Sequence, residues 1–122
     1  MNTVATIAVL LVAALHAYFM VLEMVLWTKP FGRKAFALTP EFAEATKGLA
    51  ANQGLYNGFL VAGLLWSVIA GLTTPLGFAV ATFFLVCVVV AGVFGGITVN
   101  RKILWVQALP GAIALILVWL AR

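Results

Sequence analysis

One run of the sequence constrains this chain more than any other. LGFAVATFFLVCVVVAGVFGGITV, residues 76–99, is an uninterrupted apolar stretch without a single charged side chain. A segment that long and that apolar is read as a membrane-crossing helix, because in lipid every backbone polar group must be bonded within the segment. Three more stretches read the same way, giving spans at about 3–27, 52–72, 76–99 and 103–121. Residues 3–27 would rise roughly 37 Å as a helix, enough to cross a bilayer with some tilt. The first apolar stretch has no basic leader and is far longer than the core of a signal peptide, so it is read as a retained span.

Composition supports this. The chain has 122 residues, 66% of them hydrophobic and 8% charged, too little polar surface to cover a water-soluble core. The expected fold is all-α: a single-domain polytopic membrane protein built as a four-transmembrane-helix bundle. No repeat, linker or low-complexity segment divides it. No basic run interleaved with aromatics is present, which argues against nucleic acid as a partner. The single cysteine, Cys87, lies among Leu and Val with no basic neighbour and is expected to be inert. No cluster of metal-ligand type occurs, and no nucleophile–base pair.

The basic residues are placed unevenly. Lys29, Arg33, Lys34 and Lys47 lie between the first two spans, and Arg101 and Lys102 between the last two; the opposite side holds only Arg122. This bias puts both basic connections in the cytoplasm and both termini outside, in a cell inner (plasma) membrane. Within the long first connection, Thr39, Pro40 and Glu41 suit a helix start, and the helix is expected to run from Pro40 into the second span. Pro75 suits the start of the third span.

Polar side chains gather at one level. His16, Met20, Glu23 and Trp27 step by four, three and four along the first span and are expected to share a face. At the head of the second span, AANQGLYNGF carries Asn52, Gln53, Tyr56 and Asn57 within an arc of roughly 140° at helical spacing. Asn100 closes the third span and Gln107 follows shortly into the fourth. Glu23 is the one acid expected inside a span, and such a residue is a functional candidate by default. It is expected to contact the Asn52–Tyr56 face; the structural alternative is a pair with Lys47 or with the amides. His16 reads as a packing residue; the amides divide evenly between interhelical glue and ligand contacts. The candidate catalytic residue is Glu23. The candidate ligand contacts are Glu23, Lys47, Asn52, Gln53, Tyr56, Asn57, Asn100, Arg101, Lys102 and Gln107.

Two resemblances attach to these residues. LEMVLW, PEF, ANQGLYNGFL and LWVQALP together resemble an uncharacterised bacterial family of small integral membrane proteins, the domain of unknown function thirteen-oh-four. That likeness implies four spans and no stated activity. More distantly, HAYF, RKAF, PEF, and Asn52 followed by Tyr56, are similar to the first two helices of the MAPEG superfamily, the membrane-associated proteins of eicosanoid and glutathione metabolism. It implies a homotrimer of four-helix subunits with a lipophilic-substrate site between them. Lys47 stands near that family's Arg, Asn52 at its Asn and Tyr56 at its Tyr, while Leu55 replaces its Glu. Gln107, three before Pro110, stands where the glutathione-using members carry Arg, and Gly96 and Asn100 stand where they carry tyrosines. A neutral amide cannot hold a thiolate as a guanidinium does, so no glutathione chemistry and no other cofactor is expected.

These readings converge on a protein that binds a lipophilic or amphipathic small molecule at the cytoplasmic membrane level, as a MAPEG-like enzyme without the usual activating residues or as a binding protein. The alternatives are a small transporter with Glu23 as coupling residue, where the charge bias speaks against the small multidrug exporters that insert in both orientations, and a structural accessory subunit.

Overall fold

The computed structural model describes residues 2–122. Its order is α1 (Asn2–Met24), α2 (Pro30–Phe36), α3 (Pro40–Ala70), α4 (Pro75–Thr98), a π-helical turn (Leu104–Ala108) and α5 (Leu109–Ala121), with no strand among the described residues. Four stretches are long and apolar enough to cross a membrane: α1, α3, α4 and Leu104–Ala121. At most a third of any of their most apolar windows is buried within the chain. The outward surface is therefore hydrocarbon, as lipid requires and water would not tolerate.

The helix boundaries follow from local chemistry. Thr39 accepts a hydrogen bond from the Phe42 amide at 3.1 Å, and α3 then continues unbroken from Pro40 for 31 residues. It ends at Gly71, whose φ of 94° is left-handed. Thr74 caps α4 by accepting from the Gly77 amide at 3.1 Å, with Pro75 in the first turn.

Three features differ from the sequence reading. The first helix stops at Met24, not near Trp27, so Trp27 does not continue the face of His16, Met20 and Glu23. Pro30 forces an extended conformation on Lys29 (φ −85°, ψ 158°), and residues 25–29 form turns instead of helix. Trp27 turns toward α3, where its indole N–H donates to Thr46 Oγ1 at 3.0 Å. Short α2, inside what reads as a polar connection, was not expected. The fourth span contains a π-helical turn, where the Leu109 amide donates to the carbonyl of Leu104, five residues back. Pro110 accounts for it: proline has no N–H to give, its ring crowds the carbonyl four residues earlier, and a widened turn relieves both.

The chain forms two compact units, Met1–Ala13 with Ala62–Arg122, and Ala14–Val61. In the first, α4 buries a stripe of Ala81, Leu85, Val88, Gly92 and Gly96 at spacings of three and four, and α5 buries Gly111, Ala114 and Val118 in the same way. Small residues in these stripes let the backbones approach closely, the usual basis of helix contact in lipid. In the second, α3 buries Ala43, Ala50 and Gly54, and α1 buries His16, Leu22 and Glu23.

Candidate functional site: a buried carboxylate held by two amides

Glu23 lies in the last turn of α1 and is 5% exposed. An acid so placed needs partners, since an unpaired buried polar group costs roughly 1–3 kcal/mol and more when charged. It has two. Gln53 Nε2 donates to Glu23 Oε2 at 2.9 Å, and Asn57 Nδ2 donates to Glu23 Oε1 at 2.6 Å. Gln53 and Asn57 are one helical turn apart on α3, so a single helix edge supplies one donor to each carboxylate oxygen.

What brings that edge to Glu23 is a stripe of small residues. A Cβ on Gly54 would lie 2.5 Å from Met24 Cγ, 3.1 Å from Glu23 Cβ and 3.2 Å from the Met20 carbonyl oxygen, so a larger residue there would push α1 away from α3. The same stripe corrects the expected pairing. Glu23 meets Gln53 and Asn57, not Asn52 and Tyr56. Burying Ala50 and Gly54 rotates Asn52 and Tyr56 onto the exposed side of α3. Lys47 is not the partner of Glu23 either: it pairs with Glu44, three residues earlier on α3, with both side chains more than half exposed.

Beside the carboxylate lies a cleft of about 300 Å³. Glu23, Met24, Trp27 and Thr28 line it from the end of α1 and the following turn, and Lys47, Gly48 and Ala51 from α3. The volume is at the lower bound for small-molecule sites. Its chemistry is mixed: one ammonium, one carboxylate already bonded on both oxygens, one hydroxyl, and an indole and a methionine as apolar wall. Trp27 is fixed by its bond to Thr46 and by the Phe36 ring, 5.0 Å away between centroids. Trp27 and Thr28 were not among the sequence candidates for ligand contact. Thr28 precedes a proline-started helix and offers no periodic signal. Thr46 shares a helical edge with Ala43, Ala50 and Gly54, a stripe visible in the sequence.

The other candidates belong to the unit that includes Ala62–Arg122. Gln107 Nε2 donates to the Val88 carbonyl at 3.2 Å, and Asn100 Oδ1 accepts from the Lys102 amide at 2.9 Å, closing the turn after α4. Gln107 thus ties the π-helical turn to α4. A second cleft, about 460 Å³, opens at this turn between Gly96, Ile97, Val99, Asn100, Arg101, Leu104 and Trp105. Cys87 is half-buried and free, and among the described residues no group of side chains is arranged to hold a metal.

No curated protein and no solved structure matches the chain. One family does: residues 10–119 match the family described as "Protein of unknown function (DUF1304)". The match takes in Glu23, both amides that hold it and the residues of both clefts, over nearly the whole length of the chain. This four-span helical protein therefore belongs to the DUF1304 family.

Proposed function

We propose that the chain binds a small amphipathic or lipophilic molecule at the cytoplasmic level of the membrane, in the cleft beside Glu23. The observation that carries this reading is the buried carboxylate, held on both oxygens, at the wall of a cleft that also presents Lys47 and Trp27. Lys47 at the rim attracts an anionic head. Glu23 fixes Gln53 and Asn57 and sets the spacing of α1 and α3, and Trp27 and Met24 cover the apolar part. Exposed Glu44 competes for Lys47 only weakly, since an ion pair in that setting is worth little.

The MAPEG likeness extends this to a homotrimer in which α3 meets neighbouring copies. One feature favours it: Asn52 and Tyr56 are exposed on a membrane-crossing helix, and neither side chain has a hydrogen-bond partner among the described residues. In lipid such groups seek a partner on another helix. Glutathione activation is not part of the proposal, because the side chain at the key position is Gln107, a neutral amide bonded to the Val88 carbonyl.

A photoactivatable fatty acid, cross-linked in native membranes and mapped by peptide mass spectrometry, tests the binding reading. Adducts are expected to concentrate on residues 23–28 and 47–51 and to fall several-fold in Lys47→Gln. Labelling spread evenly over the lipid-facing positions of all four spans would overturn it. Loss of a proton-driven flux in Glu23→Gln, with no localised adduct, would point to a transporter instead.

A further inference from the structure

The second cleft has a different chemistry, and we propose that it is a site for the headgroup of an anionic phospholipid. Residues 62–122 contain Arg101, Lys102 and Arg122 and no Asp or Glu at all. Arg101 lines the cleft and forms no ion pair among the described residues. Arg122, by contrast, is placed over two rings, 4.4 Å from the Phe78 centroid and 5.4 Å from that of Trp119. The guanidinium of Arg101 is left to an anion supplied from outside this segment. Its planar fork of donors suits a phosphate.

The walls decide which kind of anion. Ile97, Val99 and Trp105 flank Arg101 and are 76%, 78% and 68% exposed. These side chains face the lipid, so whatever fills the cleft meets acyl and glycerol groups on either side of Arg101. A phospholipid covers them with its glycerol and upper acyl region while its phosphate meets Arg101. The position fits as well: the cleft opens where α4 ends and the next membrane-crossing stretch begins, at the depth where headgroups lie and where Trp is enriched. The Asn100–Lys102 bond closes the turn, leaving the carboxamide N–H groups of Asn100 to donate to the phosphate or glycerol oxygens. Lys102, next in sequence, adds a second positive charge to the attraction. The proposal does not depend on the Glu23 cleft, which lies on other residues.

The test is native mass spectrometry of the detergent-purified protein, titrated with dioleoyl phosphatidylglycerol or with dioleoyl phosphatidylcholine. The wild type is expected to retain phosphatidylglycerol several-fold more strongly. Arg101→Gln is expected to weaken that binding about fivefold, in line with about 1 kcal/mol per basic residue near a charged surface, while Arg101→Lys keeps most of it. Trp105→Ala is expected to reduce retention of both lipids. Equal retention of the two lipids by the wild type would overturn the proposal, even if Arg101→Gln failed to fold. So would unchanged phosphatidylglycerol binding in a folded Arg101→Gln. Displacement of the lipid by millimolar glycerol 3-phosphate would reassign the cleft to a soluble anion and overturn it too.

Discussion

At the scale of single residues, Glu23 bears the most consequence, because each of its oxygens satisfies one amide of α3. A glutamine there keeps the shape and one acceptor. One neighbouring carboxamide then has to flip and offer its oxygen, a small loss on the order of 0.5–1 kcal/mol. A leucine leaves both amides without their partner, at roughly 1–3 kcal/mol for each group that stays buried. Unfolding in mixed micelles is therefore expected to rank wild type above Glu23→Gln, and Glu23→Gln well above Glu23→Leu. Asn57→Leu should fall near Glu23→Leu, and Asn52→Leu should be close to wild type in the monomer. Equal stability of Glu23→Leu and wild type would show that the cluster bears no structural weight. Lys47 provides a second measurement. Its carboxylate partner is Glu44, so a double-mutant cycle of Glu23→Gln with Lys47→Gln is expected to show a coupling near zero. A coupling above about 1 kcal/mol would mean that Lys47 reaches Glu23 after all.

At the scale of the helices, close contact decides stability where the hydrophobic effect cannot, because lipid is as apolar as the side chains. Gly92 of α4 lies against the π-helical turn: a Cβ there would stand 2.6 Å from the Ala108 nitrogen and 2.8 Å from its Cα. Backbone cannot step aside as a side chain can, so Gly92→Ala is expected to cost about 1–3 kcal/mol or more. Gly48 of α3 offers the contrast, with no atom within 4 Å of an added Cβ. Gly48→Ala should stabilise α3 by up to about 1 kcal/mol through helix propensity alone. Detergent denaturation of the two variants compares them directly, and a neutral Gly92→Ala would contradict the packing described for α4.

For the whole molecule, the expectations concern orientation and assembly. Tags at either terminus should report the outside and a tag near Arg33 the cytoplasm; a cytoplasmic C-terminus would overturn the charge argument. Cross-linking in native membranes is expected to give a trimer. Asn52→Leu and Tyr56→Phe should weaken it while leaving the isolated subunit folded. A monomer that remains the sole species in mild detergent and in membranes would count against that assembly.

Much of the architecture was legible in the sequence because it rests on local physics. Apolar length alone fixed four membrane-crossing helices, and Thr39–Pro40 and Pro75 marked two helix starts, since capping and proline geometry involve only neighbours along the chain. The same local logic placed Glu23 and a cluster of amides on facing spans. It could not say which amides Glu23 would meet. Asn52 with Tyr56 and Gln53 with Asn57 are both pairs one turn apart, so helical periodicity treats them alike. The choice falls to Gly54, whose missing side chain sets how α3 is turned toward α1. Tertiary contact likewise drew Trp27 to Thr46. Sequence thus settled what depends on composition and on neighbours in the chain. Structure settled rotation about a helix axis, which a periodic pattern leaves free until another helix packs against it.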